Sequence, residues 1–286
     1  MHHTAPELRA RSGVFGLTVI WRYAIIFPMK TALVTGASSG IGKEISICLA
    51  KRGYNIILVA RREDRLSEIA SYISRKYKVM TRCEVCDVSD SKACFSLYEK
   101  TRSFGIDILV NGAGFGLLSD FSNASLDREM AMIDTNIRAV HILTKLFLQD
   151  MENREGTYIL NIASSAGLCP AGPYMSTYYA TKSYVTSLTS GIAAELKAAG
   201  SPTYIGALCP GPVDTEFNEI SGGTFTVKPL SAKACAKAAV KGMFARKEII
   251  VPGLTMKLAG FFQGFLPRNM RIDMVSKIQQ DKMKSQ

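Results

Sequence analysis

The sequence is short of the partner sets that would make it a metal or disulfide protein. Cys83 and Cys86 form one CxxC, and neither a second CxxC nor a His pair completes a zinc site. Seven cysteines, an odd number at irregular spacing, do not make a disulfide framework. They suit the strands of a protein kept in a reducing compartment. A clean membrane span is also lacking. Gly13 to Phe27 is apolar but interrupted by Thr18 and Arg22, and it falls short of the roughly 20 residues that cross a bilayer. No small-x-small cleavage site precedes Met29, which argues against a signal peptide. No basic motif or module with base-stacking aromatics accompanies the net charge of +11, so nucleic acid is not an expected partner.

The 286 residues are 47% hydrophobic and 21% charged. Those are the proportions of a soluble globular protein, long enough to bury a full core. The charge is unevenly placed. Residues 231–286 carry 11 Lys and Arg against 3 Asp and Glu, whereas 29–230 is close to neutral. Residues 1–28 read as an N-terminal extension, because Met29 is a natural start for the domain; a membrane-associated segment is the alternative. Residues 253–286 read as a helical tail, apolar to Leu266 and basic from Pro267. One reading makes it a helix closing a pocket, followed by a solvated tail. The other makes it a surface for acidic partners, a lipid headgroup or the phosphates of an acyl carrier. The expected location is cytoplasmic, with peripheral membrane association as the further option.

Between these ends, 29–252 reads as one α/β domain. Thr31 to Val34 is a short apolar strand that runs into a GxxxGxG turn, Gly36 to Gly42, and then a helix. A strand, a glycine turn and a helix N-terminus make a phosphate site. Ser38, Ser39, Gly40 and Ile41 complete the turn. Asn55 to Ala60 is apolar enough to be a parallel strand buried on both faces, and it ends in Arg61-Arg62. An acid near this point would suit a ribose 2′-hydroxyl; arginine suits a 2′-phosphate. The expected cofactor is therefore NADP(H) in preference to NAD(H), with Arg61 the main phosphate ligand. The third strand is expected over Lys78 to Val85. Beyond it, Asp87 and Val88 would meet the adenine, Asp87 by accepting from its amino group. Asn111, Ala113 and Gly114, beyond the fourth strand, would lie along the cofactor.

A helix is expected from about Leu126 to Gln149, and Asn136 within it can interrupt regular backbone bonding and hold water. Ser164 follows the fifth strand, 14 residues before Tyr178. Tyr178 and Lys182 stand four residues apart, which puts a phenol and an ammonium on one helix face. Tyr72 and Lys76 have the same spacing but sit on an outer helix, where no pocket is expected. Pro210, Gly211, Val213 and Thr215 follow the sixth strand, where parallel sheets bind ligands. Phe217 to Leu230 is read as a lid over the substrate.

Taken in order, Thr35-Gly36-xxx-Gly40-x-Gly42, Asp87, Asn111-Gly112-Ala113-Gly114, Asn136, Ser164, Tyr178-xxx-Lys182 and Pro210-Gly211 resemble the short-chain dehydrogenase/reductase family across about 29–252. One departure is Gly112-Ala113-Gly114, where the family more often has a second Asn. The resemblance implies a single doubly wound Rossmann-type domain, with a seven-stranded parallel sheet ordered 3-2-1-4-5-6-7. It also implies roles. Ser164 would hydrogen-bond the substrate oxygen and Tyr178 would transfer the proton. Lys182 would bind the nicotinamide ribose and lower the phenol pKa, and Asn136 would hold a water. Relatives pair through the helices at about 126–149 and 176–199, which implies a homodimer or homotetramer.

The expected function is NADP(H)-dependent carbonyl reduction, or the reverse oxidation, with no metal. A hydrophobic substrate such as a 3-oxoacyl thioester is expected, from a faint likeness to the ketoacyl and hydroxysteroid reductase branch near Val251 to Arg268. A small ketone or hydroxy acid is the alternative. A non-catalytic, cofactor-sensing scaffold of the same fold is the rival from outside enzymology.

Overall fold

The apolar segments Thr31–Thr35, Asn55–Ala60, Ile106–Asn111, Tyr158–Ile162 and Tyr204–Leu208 form strands buried on both faces, whereas Thr81–Val85 at the sheet edge is only half-buried. In the computed structural model, residues 30–222, 229–253 and 266–284 are described, with Met256 and Leu258. The expected N-terminal extension, the centre of the expected lid and most of the apolar stretch before Pro267 lie outside the described residues. The strands are β1 Thr31–Thr35, β2 Asn55–Ala60, β3 Thr81–Val85, β4 Ile106–Asn111, β5 Tyr158–Ile162, β6 Tyr204–Leu208, β7 Val213–Asp214, β8 Leu230–Ser231 and β9 Ile249–Ile250. A seven-stranded sheet runs β3-β2-β1-β4-β5-β6-β9, and all its pairings are parallel. This is the expected order, with Ile249–Ile250 as the last strand. β7 and β8 pair separately. β3 begins later than Lys78 because that residue closes the preceding helix in the left-handed region, at φ 57°.

The helices are α1 Gly40–Ala50, α2 Glu63–Tyr77, α3 Ser91–Thr101, α4 Leu126–Ile133, α5 Ala139–Met151, α6 Ser176–Ala198, α7 Phe217–Ser221, α8 Ala232–Phe244 and α9 Arg268–Lys284. Alternation along each strand divides the core. Ala32, Val34, Ile56 and Leu58 face α1, α2 and α8 through Ile45, Leu49, Leu66, Ile73 and Val240. Leu33, Ile57, Val59 and Leu109 face α3, α5 and α6 through Leu97, Leu143, Phe147 and Leu196. Each Val, Leu, Ile or Phe among them, where fully buried, contributes roughly 1.5–3 kcal/mol. The helix expected over 126–149 is not continuous. A π-helical turn, Asp134–Arg138, separates α4 from α5 and carries Asn136. Such turns recur at functional sites.

The strand order reverses between β1 and β4. A crevice opens at such a switch point, beyond the carboxyl ends of the strands. Thr35, Asn111 and Ile162 end three neighbouring strands there.

Candidate active site

The glycine turn is locked to the next strand end. Thr35 Oγ1 accepts from the Gly112 amide at 3.0 Å and the Ala113 amide at 3.2 Å. Gly36 has φ +68°, and a Cβ there would stand 2.7 Å from the Gly112 carbonyl, so a side chain is excluded twice. α1 begins after Ser39 with no side-chain cap and no acid in its first turn. Its first amides are left to an anion.

Arg61 and Arg62 take different positions at the end of β2. Arg62 bends back onto the turn and donates to Ser38 Oγ at 3.0 Å and Ser39 Oγ at 3.1 Å. It also pairs with Glu216 at 2.9 Å, which Arg65 contacts as well. These hydrogen bonds, Arg62 first, hold the Glu216 carboxyl below its ordinary range. Arg61 is 75% exposed and stands 3.7 Å from Asp87. Partial burial pushes Asp87 up, but the Ser89 hydroxyl and amide together with Arg61 outweigh it, and the carboxyl ends below its ordinary range. Arg62 is thus the arginine fixed at the turn, and Arg61 the one that reaches outward.

Ser164, Tyr178 and Lys182 come together at the end of β5. Ser164 Oγ accepts from the Ala166 amide at 3.2 Å and caps the 3₁₀ turn Ser165–Leu168. That turn presses on α6: a Cβ on Gly167 would lie 2.5 Å from the Lys182 carbonyl oxygen. Burial drives the Tyr178 phenol up to about 12, against a hydrogen bond with Ser164 that pulls it down. Burial also drives the Lys182 ammonium down to about 8. Lys182 Nζ donates to the Ile162 carbonyl at 2.9 Å and stands 5.9 Å from the centre of the Tyr178 ring. Among the protein's own groups, desolvation of the buried phenol is the largest influence on Tyr178.

Two expected site residues stand behind the site instead of lining it. Asn136 is wholly buried. Its Oδ1 accepts from the Phe115 amide at 3.1 Å, and its Nδ2 donates to the Phe115 carbonyl at 2.9 Å and Thr181 Oγ1 at 3.1 Å. Both ends of the amide brace the β4 loop against α6. Asn111, also buried, donates to Thr144 Oγ1 and Asn161 Oδ1 at 3.0 and 2.8 Å. Asn111 ties β4 to β5.

The remaining expected residues line one cavity of about 620 Å³. It runs from Gly36, Ser38, Ser39, Gly40, Ile41 and Gly42 past Arg61, Arg62, Asp87 and Val88. It continues past Ala113 and Gly114 to Ser164, Tyr178 and Lys182, with Pro210, Gly211, Val213 and Thr215 also on its walls. Lys43, just after the turn, is not among the lining residues. The sequence reading missed Leu118, Met175 and Arg128, and also Gln279 and Lys282 of α9. It had placed Phe217 only in the lid; that ring packs 5.4 Å from the Tyr178 ring. The basic tail is not simply solvated. Gln279 Nε2 donates to Tyr179 Oη at 3.0 Å, and Gln280 Nε2 to Tyr174 Oη at 2.7 Å. Val275 and Gln279 are buried, and Met283 packs on the cluster around Tyr178. Val275, Gln279 and Met283 thus form one stripe at four-residue spacing along α9.

A glycine cradle that excludes side chains, an open helix N-terminus and arginines at the end of β2 fit a dinucleotide. The fold and site together define an NAD(P)-dependent oxidoreductase. The short chain dehydrogenase family model matches residues 30–223. The chain is 35% identical over 232 residues to an uncharacterized oxidoreductase of Staphylococcus saprophyticus, covering 80% of this chain and 97% of that one. It is 34% identical over 206 residues to a very-long-chain 3-oxoacyl-CoA reductase-B of Danio rerio, covering 69% of this chain but 64% of the relative. A short-chain dehydrogenase from Sphingobium yanoikuyae, solved in complex with NADPH, matches with a TM-score of 0.74 at 28% identity, covering 82% of this chain and 94% of that one. The chain belongs to the short-chain dehydrogenase family and is an NAD(P)-dependent dehydrogenase/reductase. Among the described residues, no helix is long and apolar enough to cross a membrane.

Proposed function

We propose that this enzyme uses NADP(H) to reduce the carbonyl of a hydrophobic substrate, and that the substrate class is a 3-oxoacyl thioester. The observation that carries the reading is a buried phenol, Tyr178, held neutral beside Ser164 in a cavity that Leu118, Met175 and Phe217 also line. A phenol kept protonated is ready to give a proton, which is the step reduction asks of the protein. The zebrafish relative bears the name of a 3-oxoacyl-CoA reductase.

Bound NADPH supplies the hydride. Ser164 orients the carbonyl oxygen, and Tyr178 delivers its proton to that oxygen as charge develops there. Lys182 stabilises the tyrosinate left behind; its ammonium is already held in the protein interior by the Ile162 carbonyl. Asn136 acts at one remove, fixing Phe115 and Thr181. The turn from Gly36 to Gly42 would hold the pyrophosphate. Arg61 would take the 2′-phosphate, since its guanidinium is exposed and only loosely paired with Asp87. Arg62 would support the same end from its anchor on Ser38 and Ser39.

The test is NADPH consumption with 3-oxoacyl-CoA thioesters of increasing chain length, beside small ketones and short hydroxy acids. The thioesters should give the highest kcat/KM, rising with chain length. A small ketone or hydroxy acid that outperforms every thioester overturns the substrate class. Arg61→Asp should raise the KM for NADPH by about tenfold or more relative to NADH, a loss of one charge-assisted phosphate contact.

A further inference from the structure

Gln279 breaks the pattern of the helix that carries it. Val275 and Met283, one turn to either side on α9, pack inward as apolar side chains. Gln279 lies between them, 3% exposed, and lines the cavity together with Tyr178 and Tyr179. One end of its amide is engaged: Nε2 donates to Tyr179 Oη at 3.0 Å. The other end is not. Its Oε1 is buried and has no hydrogen-bond partner among the described residues. A carbonyl oxygen in that state carries a desolvation cost that a leucine at the same position would avoid.

The neighbours hold that amide close to the reacting phenol. The Tyr179 ring packs so tightly on Gly172 that no Cβ would fit there, and its centre is 6.2 Å from the centre of the Tyr178 ring, edge to face. The next residue on α9, Gln280, ties the helix a second time by donating to Tyr174 Oη at 2.7 Å. Tyr179 and Met283 both pack on the apolar cluster of Leu118, Met132 and Met175. A polar atom in such surroundings discriminates strongly between a ligand that offers it a hydrogen bond and one that does not.

We infer that Gln279 is a specificity residue for the substrate, and that its Oε1 accepts a hydrogen bond from an N–H or O–H group carried a few bonds from the reacting carbonyl. The inference rests on the reading of the site as a thioester reductase and deepens it. In a 3-oxoacyl thioester of a pantetheine arm, an amide N–H stands two methylenes beyond the sulfur. It is the first hydrogen-bond donor along the chain from the 3-oxo group. An acceptor in the wall suits that amide and rejects its ester analogue, which has no proton to give.

The experiment compares kcat/KM for NADPH-dependent reduction of one 3-oxoacyl chain on two thiols of equal length. N-acetylcysteamine carries the amide N–H; in O-acetyl-mercaptoethanol an ester oxygen replaces it. The amide form should lead by about tenfold or more, mainly through KM. That ratio should fall to about twofold or less in Gln279→Leu. It should fall as far in the Gln279→Leu, Tyr179→Phe double variant, which removes both partners of the Tyr179 hydrogen bond and strands neither. Gln279→Glu should keep the ratio at neutral pH, since a carboxylate is also an acceptor. The ratio is internal to each variant, so a loss of folded enzyme cancels. If Gln279 only braced α9, its loss would slow both forms alike and leave the ratio in place. If neither thioester is reduced and a ketone is, the thioester reading fails alone, and a hydroxyketone against its methyl ether puts Gln279 to the same ratio. Equal kcat/KM for the forms with and without the donor, or a ratio that survives Gln279→Leu, overturns the inference.

Discussion

On α2, Lys76 Nζ donates to Tyr72 Oη at 2.7 Å and sits 5.0 Å from the ring centre. On α6, Lys182, at the same four-residue spacing from Tyr178, turns to a backbone carbonyl and stays 5.9 Å from the ring centre. The pair with the direct hydrogen bond is the one with no site around it. Tyr72 is 41% exposed and Tyr178 is 8% exposed. In water the phenolate is solvated, so the Lys76 hydrogen bond is the largest influence and draws the Tyr72 phenol below its ordinary value. In the interior the loss of solvation dominates, and the Tyr178 phenol rises to about 12. A lysine at helical spacing is thus neither necessary nor sufficient to mark a proton donor. Burial, the Ser164 hydroxyl and a cavity that reaches the phenol are what distinguish α6.

The largest expected effect separates the two tyrosines by rate. With a substrate established, Tyr178→Phe should lower kcat by about 10²–10⁴-fold, the range for losing a positioned general acid. Tyr72→Phe should leave kcat at the wild-type value. Equal effects, or an active Tyr178→Phe enzyme, would remove the distinction between the pairs.

The two lysines should differ in the sign of their pH-linked stability. Lys182 falls from an ordinary 10.5 to about 8 in the fold. The unfolded chain therefore binds the extra proton between those values, and stability rises with pH across that window. The contribution is fully present above 10.5 and lost as pH falls through 8. Urea melts at the two ends of the window should show wild type gaining on the order of 3 kcal/mol relative to Lys182→Met. Lys76 is shifted upward, chiefly by its hydrogen bond with Tyr72, so its contribution is present below 10.5 and lost as pH rises. Relative to Lys76→Met, wild type should gain as Tyr72 ionises below its ordinary value, and lose that gain as pH rises through the raised Lys76 value. A Lys182 difference that is flat in pH would mean that its ammonium is not held in the interior.

Much of this site was readable because its signals are local. A glycine turn after an apolar strand, an arginine pair at the end of β2 and a serine one loop ahead of Tyr178 each lie within a few residues of the strand end that positions them. What was missed depends on register or on distance along the chain. Arg62 directly precedes α2 with an extended ψ of 98°, and that single step in register decides which arginine bends onto Ser38. Asn136 was legible as a helix interruption, but its partners, Phe115 and Thr181, lie 21 and 45 residues away. α9 reaches Tyr179 across 100 residues of sequence. Its buried stripe includes a glutamine, so the apolar pattern is broken, and the cationic composition reads as solvated. The cations of α9 do not all face water; Lys282 lines the cavity.

The smallest effect is also the most direct reading of the two phenols. Tyrosinate absorbs in the ultraviolet where tyrosine does not, so an alkaline titration counts phenols as they ionise. Subtracting the Tyr72→Phe curve from wild type should isolate a step below the ordinary phenol value of about 10, set by the exposed Lys76 contact. Subtracting the Tyr178→Phe curve should isolate a step near 12, or one that appears only as the fold is lost. Raising the salt concentration should move the first step toward 10 and leave the second in place, because screening acts on exposed charges and barely reaches buried ones. A Tyr178 step below 10 with the protein folded would mean that Lys182 overcomes desolvation after all, and the two pairs would then differ in access to a cavity and not in electrostatics.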